Sequence, residues 1–243
     1  AKGDTNEVIL LVDISFIFSS INPDKGIEYG LKGLKLTKKI NWEKGEANCY
    51  NSLGVNYSFG KSDYPKALEY YGKALKIDEE LGKKKDVARH LGNMGNVYRN
   101  LSNYPKALEY YRKAKKINEK EGGNKIWLAA NLGGMGGVYA YQSNYPKALE
   151  YFQKALKIDE EIGNKKGIAI DLANMGQLYL TLSQDSVHIN PNELNQYVSL
   201  NKDINLNRSI EYSLQAIKIY EEIGELDIRS MILKTLAEAY SLK

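Results

Sequence analysis

An all-α chain, built as a solenoid of helical hairpins, is predicted by three observations. The first is a block, Asn103-Tyr104-Pro105-Lys106-Ala107-Leu108-Glu109-Tyr110-Tyr111, that returns 41 residues later as Asn144-Tyr145-Pro146-Lys147-Ala148-Leu149-Glu150-Tyr151-Phe152. It also stands 40 residues earlier as Asp63-Tyr64-Pro65-Lys66-Ala67-Leu68-Glu69-Tyr70-Tyr71. Self-similarity at such a period marks a supersecondary unit that cannot bury its apolar face alone and stacks on its neighbours. The second observation is that each period holds two helical stripes. Leu91, Met94, Gly95 and Tyr98 recur at i, i+3, i+4 and i+7, and Ala107, Tyr111 and Ala114 follow on a second helix. The third is Gly82, Gly122, Gly163 and Gly224, each placed to close a second helix in the left-handed conformation that glycine adopts without strain. The expected architecture is a right-handed superhelix, an α-solenoid of about five helical hairpins plus a terminal helix, forming one domain over residues 1–243.

The units follow in order. Repeat one, about 5–40, is degenerate: Leu11, Ile14, Ser15 and Phe18 keep the first-helix spacing, Pro23 opens the second helix, and Gly26, Gly30 and Gly33 line it. Repeats two to four cover about 41–82, 83–122 and 123–163. In each, an Asp or Asn suited to N-capping precedes a proline in the first turn, where the missing N–H breaks no intrahelical bond. Gly54, Gly95, Gly136 and Gly176 on first helices, with Ala67, Ala107 and Ala148 on second helices, let two backbones approach, and Tyr57, Tyr98, Tyr139 and Tyr179 are expected to fill the next turn. Pairs such as Glu69 with Lys73, Glu109 with Lys113 and Glu150 with Lys154 stand at i, i+4 on a wet face.

Repeat five, 164–224, carries an asparagine-rich insertion at 184–207, in which Asn190-Pro191 with Leu194, Tyr197 and Val198 suggests a short helix lying as a partial lid against Tyr141, Ile170 and Leu180. The terminal helix, 225–243, repeats the first-helix stripe as Leu233, Leu236, Ala237 and Tyr240, with no second helix after it. That reads as a fragment, with self-association through this helix a consequence.

Composition narrows the functions. A net charge of +4 from 34 basic and 30 acidic side chains, with most lysines beside glutamates, argues against a nucleic-acid partner. The longest apolar run, Val8 to Val12, is too short to span a bilayer, so no membrane contact by this chain itself is expected. Cys49 is alone, which rules out an internal disulfide or a cysteine-based metal site. The 19 tyrosines fall mostly at fixed repeat positions and point to packing.

These stripes resemble the tetratricopeptide repeat, whose first helix reads Leu-x-x-Leu-Gly-x-x-Tyr and whose second reads Ala-x-x-x-(Tyr/Phe)-x-x-Ala. The period is longer than the commonest 34 residues. Elongated units of this kind resemble polarity scaffolds and the sensory or adaptor regions preceding histidine kinases or nucleotide cyclases in bacteria. The resemblance implies a non-catalytic protein-binding module, periplasmic if the sensor likeness holds and otherwise cytoplasmic.

No phosphate-loop, metalloprotease or nucleophile-elbow pattern is present, and neither cofactor nor metal is expected. His188 with Asp185 and Glu193 reads as an ordinary polar loop. His90 reads as an exposed first-helix residue. Gly133, Gly134, Gly136 and Gly137 lie mid-helix, where close crossing explains them better than phosphate does. The candidate site is the first-helix face opposite the packing stripe, which lines the concave side. It comprises Asn48, Asn51, Val55 and Phe59, then Arg89, Gly92, Asn96, Arg99 and Asn100. Further along come Ala130, Gly133, Gly137, Ala140 and Tyr141, then Ile170, Ala173, Gln177, Leu180 and Thr181. Asn48, Asn51, Arg89, Asn96, Arg99, Gly137, Tyr141 and Gln177 head the list as a peptide groove. Amides can satisfy an extended peptide backbone, and the two arginines can pair a carboxylate. Lysine is absent from this face, unlike in the carboxylate-clamp members of the family. The competing expectation is a scaffold that assembles through its outer faces or its open end.

Overall fold

The computed structural model describes residues 2–120, 123–184, 197–225 and 229–243. Gly122, the Asp185, His188 and Glu193 trio, Pro191 and Leu194 lie outside them. The described residues form α1 (Lys2–Ile21), α2 (Pro23–Ile40), α3 (Glu43–Val55), α4 (Tyr64–Glu80), α5 (Lys84–Asn100), α6 (Tyr104–Asn118), α7 (Lys125–Tyr141), α8 (Tyr145–Ile162), α9 (Lys165–Gln184), α10 (Lys202–Ile223) and α11 (Arg229–Leu242). A π-helical turn, Asn56–Gly60, continues α3. Among the described residues there is no strand, and no helix is long and apolar enough to cross a membrane.

The chain divides into two compact units, 1–117 and 118–243. In the first, α1 packs on α2, α2 on α3, α3 on α4 and α4 on α5; in the second, α7 packs on α8, α8 on α9, α9 on α10 and α10 on α11. Each unit is thus a stack of consecutive helical hairpins, the predicted all-α solenoid.

Helix ends follow the sequence closely. Asn22, Asp63, Asn103 and Asn144 accept hydrogen bonds of 3.2–3.3 Å from the backbone N–H groups of Lys25, Lys66, Lys106 and Lys147. Each cap thereby satisfies an otherwise orphaned N–H of its helix's first turn. Gly82, Gly163 and Gly224 adopt the expected left-handed backbone, at φ 66°, 67° and 75°. Ser62, Ser102 and Ser143 do the same, at φ 53°, 56° and 57°, immediately before three of those caps. Nothing in the residue type announces this.

The crossings are built differently from expectation in one respect. A Cβ added at Gly54, Gly95 or Gly136 would lie 2.5, 2.7 or 2.8 Å from the ring of Tyr71, Tyr111 or Phe152. The aromatic in the notch therefore comes from the second helix. Tyr57, Tyr98, Tyr139 and Tyr179 instead stack on Tyr70, Tyr110, Tyr151 and Tyr212, with ring centroids 5.4, 5.2, 5.3 and 5.7 Å apart. Lysines cap these stacks: Lys73, Lys113 and Lys154 lie 5.2–5.4 Å from the second ring while pairing with Glu69, Glu109 and Glu150. In repeat five Gly176 meets Ser213, whose Oγ lies 2.7 Å from the position of an added Cβ, so a small polar residue replaces the ring.

Candidate functional site

In the first unit the expected face is only partly a surface. Asn51 is 2% exposed, and its Oδ1 accepts from Asn93 Nδ2 at 3.3 Å and lies 3.1 Å from His90 Nδ1. Its place in the groove is corrected: the side chain is spent inside, between α3 and α5. His90 is corrected with it, being fully buried, with Nε2 2.7 Å from Asp78 Oδ2. Burial pushes the His90 pKa down while the hydrogen bond to Asp78 opposes that. Both ring nitrogens face oxygens, so a proton occupies the 2.7 Å gap between imidazole and carboxylate. With Asp78 only 2% exposed, this pair is closed to any substrate and braces two hairpins. Gly92 is also buried.

Asn48, Arg99 and Asn96 are half-buried, and Asn96 Oδ1 accepts from Tyr111 Oη at 2.6 Å. Arg89 Nη2 lies 2.9 Å from Asp86 Oδ1, an ion-pair contact without hydrogen-bond alignment, and its Nε has no partner among the described residues.

The Asp78 and His90 pair recurs in changed form. Counting by the repeat, the same two positions hold Thr37 and Cys49, Asn118 and Asn131, and Asp159 and Asp171, all buried. The first of each pair stands in the last turn of a second helix and the other is the seventh residue of the next first helix. At the junction of repeats four and five both positions carry acids. Asp159 Oδ1 accepts from Asn164 Nδ2 at 2.8 Å, while Asp171 Oδ2 has no partner among the described residues. Burial, with Asp159 adding to it, pushes the Asp171 carboxyl up to about 8. It is therefore mostly protonated at neutral pH.

The second unit carries the better surface. Ile126, Ala130, Gly133, Gly137 and Tyr141 stand at i, i+4, i+7, i+11 and i+15 on α7, one continuous face. Beside it α9 presents Ile170, Gln177 and Thr181. Ile126 is 54% exposed, Tyr141 68% and Ile170 40%. Between Lys125 and the end of α7 there is no charged residue, and past Lys166 the only one on α9 is the buried Asp171. Four glycines in one helix cost about 1 kcal/mol each against alanine, so packing holds α7 helical in spite of its composition. Gly136 is spent on the Phe152 ring, but a Cβ added at Gly133 would meet only Asp171 Oδ1, at 3.4 Å.

Ala173 and Leu180 are buried, which removes them from the face; Leu180 packs with Leu206, Ile210 and Ala239. So Leu180 is covered by α10, whose Leu206 belongs to the last part of the insertion, and by α11. Gln177 is exposed, yet its Oε1 accepts from Thr235 Oγ1 at 2.6 Å on α11. The end of the insertion does reach this unit. Tyr197 and Val198 pack against the buried cluster that contains Tyr179, and the carbonyl of Tyr197 accepts from Tyr179 Oη at 2.7 Å and Arg208 Nη1 at 2.8 Å. Ile126 was missed in the sequence because its alternating exposure cannot be told from core spacing without knowing which side α8 covers.

Hairpins of two helices, small residues at each crossing, and an uncharged first-helix face define a helical-repeat class. Residues 86–161 and 127–186 match the family model described as tetratricopeptide repeat. Residues 86–186 therefore match the tetratricopeptide repeat in sequence, and the other described residues form helical hairpins like them. No curated protein matches the sequence significantly. Among solved structures, the apo form of RapI superposes with a TM-score of 0.62 at 19% identity, over 97% of this chain and 84% of that one. A STAND (signal transduction ATPase with numerous domains) protein with a tetratricopeptide repeat sensor, from Pyrococcus horikoshii, gives 0.65 at 17% identity, over 98% of this chain and 37% of that one. A Rap protein complexed with competence and sporulation factor gives 0.63 at 15%, over 97% and 64%. At these identities the likeness shows the fold.

Proposed function

We propose that this chain is a non-catalytic interaction module that receives a peptide or protein segment on the α7–α9 face, as the sensory or adaptor part of a larger signalling protein. The observation that carries this reading is the uncharged stripe itself. The second helices present rows of lysine and glutamate to water, whereas here Ile126, Tyr141 and Ile170 are exposed around glycine and alanine. Apolar surface left wet and floored by small residues suits an inserted chain. The structural neighbours named above lend support, one as a sensor region and one as a complex with a factor.

The test is a peptide selected from a displayed random library on the wild-type protein. Gly137→Arg and Ala140→Glu should each weaken it at least about tenfold, the cost of obstructing one pocket contact, with helix content by circular dichroism unchanged. Peptides that bind both variants as well as the wild type would remove the α7–α9 face as the site.

The scaffold reading has its own observation. On α11, Ile232, Thr235 and Ala239 are buried, while Met231, Leu233 and Tyr240 are 59%, 41% and 55% exposed. Of the exposed residues, Leu233 and Tyr240 hold the positions of Leu91 and Tyr98, which the second helix of repeat three covers. If the chain assembles through them, light scattering will show a mass that rises with concentration and that Leu233→Asp returns to one chain. A constant single-chain mass for the wild type removes this route.

A further inference from the structure

The first hairpin holds a groove that the peptide-binding face does not involve. It lies between α1 and α2, has a volume of 630 Å³, and is lined by Glu7 and Leu11 from α1 and by Lys32, Lys35, Leu36, Lys38 and Lys39 from α2. Leu11 and Leu36 are half-buried and form an apolar floor, and the four lysines, all exposed, form one wall. This arrangement departs from the rest of the chain. Lys73, Lys113 and Lys154 each pair with a glutamate four residues before them. In the groove only Lys32 does so, with Glu28 at 2.6 Å, and among the described residues no carboxylate pairs with Lys35, Lys38 or Lys39. Like charges three and four residues apart on one helix repel. A row of them along an apolar groove is therefore a local cost that an anionic occupant relieves.

The spacing selects the kind of anion. Lys32, Lys35 and Lys39 stand at i, i+3 and i+7, which spreads their charge over about 10 Å of helix axis. A single-headed amphiphile such as a fatty acid presents one negative group and engages one end of that row. A helix with a carboxylate on each turn engages all of it. Glu7 on the opposite wall repels such carboxylates and so fixes which side of the groove they face.

We propose that the α1–α2 groove docks an acidic amphipathic helical segment of a partner protein, its apolar side on Leu11 and Leu36 and its carboxylates along Lys32, Lys35 and Lys39. The affinity is expected to fall with added salt, since the lysines are exposed.

The probe is a fluorescein-labelled peptide of about 14 residues, about 20 Å as a helix, patterned with leucine on one face and glutamate on the other and titrated by anisotropy in about 50 mM salt. It should bind the full chain, lose roughly tenfold in affinity with Lys35→Glu/Lys39→Glu and roughly tenfold in about 300 mM salt, and be unaffected by Gly137→Arg. The leucine and lysine counterpart should not bind. The proposal is overturned if the acidic peptide does not bind, or binds the charge-reversed variant equally well. It is also overturned if palmitate or phosphatidylserine vesicles bind in a lysine-dependent way while the acidic peptide does not. Because both changed lysines are exposed and on one helix, circular dichroism should show folding intact, and the Gly137→Arg arm separates this site from the α7–α9 face.

Discussion

Replacing Gly95 with alanine should destabilise the first unit by about 1–3 kcal/mol, the usual cost of overpacking, whereas Gly72→Ala should stabilise it by about 0.5–1 kcal/mol, the usual gain in a helix interior. The two glycines sit in helices of the same hairpin stack and differ in what surrounds them. At Gly72 an added Cβ meets nothing within 4 Å; at Gly95 it lies 2.7 Å from Cδ1 and Cε1 of Tyr111. The ring has nowhere to retreat. Tyr111 is 1% exposed, and its hydroxyl is tied to Asn96 Oδ1 at 2.6 Å.

Tyr111→Ala removes the ring and should by itself cost about 3–5 kcal/mol, as large-to-small changes of buried aromatics do. In the double variant Gly95→Ala/Tyr111→Ala the new methyl occupies part of the space left, so the combined loss should be smaller than the sum by about 0.5–3 kcal/mol. Urea unfolding of the four proteins, with hydrogen exchange of the α5 amides to localise the effect, measures the cycle. Gly95→Ala as stabilising as Gly72→Ala would show that the crossing is loose and that the ring does not define it.

That crossing explains how much of the fold could be read in advance. The capping Asn and Asp residues, the prolines behind them and the terminal glycines act through local backbone geometry, so residue type and spacing suffice to place them. The notch needed one more piece of information, namely which helix supplies the aromatic. Tyr98 and Tyr111 both fit helical spacing, and only the rotation of α5 against α6 decides that Tyr111 fills the notch while Tyr98 stacks on Tyr110.

The candidate face suffered from the same ambiguity. A helix in a stack is covered by its own partner and by the next hairpin, so three sides must be told apart from a single 3.6-residue period. Asn51, Gly92, Ala173 and Leu180 are buried and so fell on the wrong side of that division, while Tyr141 and Gln177 are exposed. The buried polar pair at the hairpin junctions escaped altogether. His90 looks like any polar helix residue until the repeats are aligned with Cys49, Asn131 and Asp171, and only burial shows that the position is internal. The signal available in the sequence was a polar residue recurring beside the apolar stripe and always about a dozen residues after another polar one.

At the junction of repeats four and five the pair makes the second unit sensitive to pH, with a sign opposite to that of a salt-bridged carboxylate. Asp159 at the end of α8 fits against Gly167 in the first turn of α9, its Oδ2 2.0 Å from where a Cβ would stand, and Asp171 lies one turn further along the same helix. Tyr220 of α10 is near enough for Asp171 to act on it, its own pKa pushed up to about 12 by burial first and then by Glu225 and Asp171, and Gly133 of α7 adds no charge. No cation faces the two acids among the described residues.

With Asp171 near 8 when folded and about 4 when unfolded, the folded state binds more protons across that window. Stability therefore falls as pH rises from about 4 to about 8, by up to about 1.4 kcal/mol per pH unit, and levels off above. Asp159 is raised as well, by burial, and adds to the fall at the acid end. Asp171→Asn should flatten the profile and leave the variant the more stable protein at pH 9, since Asn131 already occupies the equivalent position in repeat four. The consequence for function follows from position. Ionised Asp171 would place a charge 3.4 Å from where a Cβ on Gly133 would stand, bordering the uncharged face, so peptide affinity there should decline over the same interval. Urea midpoints and α9 amide exchange at pH 5, 7 and 9, for wild type and Asp171→Asn, decide the matter. A wild-type profile that is flat, or that rises with pH, would mean that the two carboxyls are not held together as described, and an identical slope in the variant would assign the dependence to other groups.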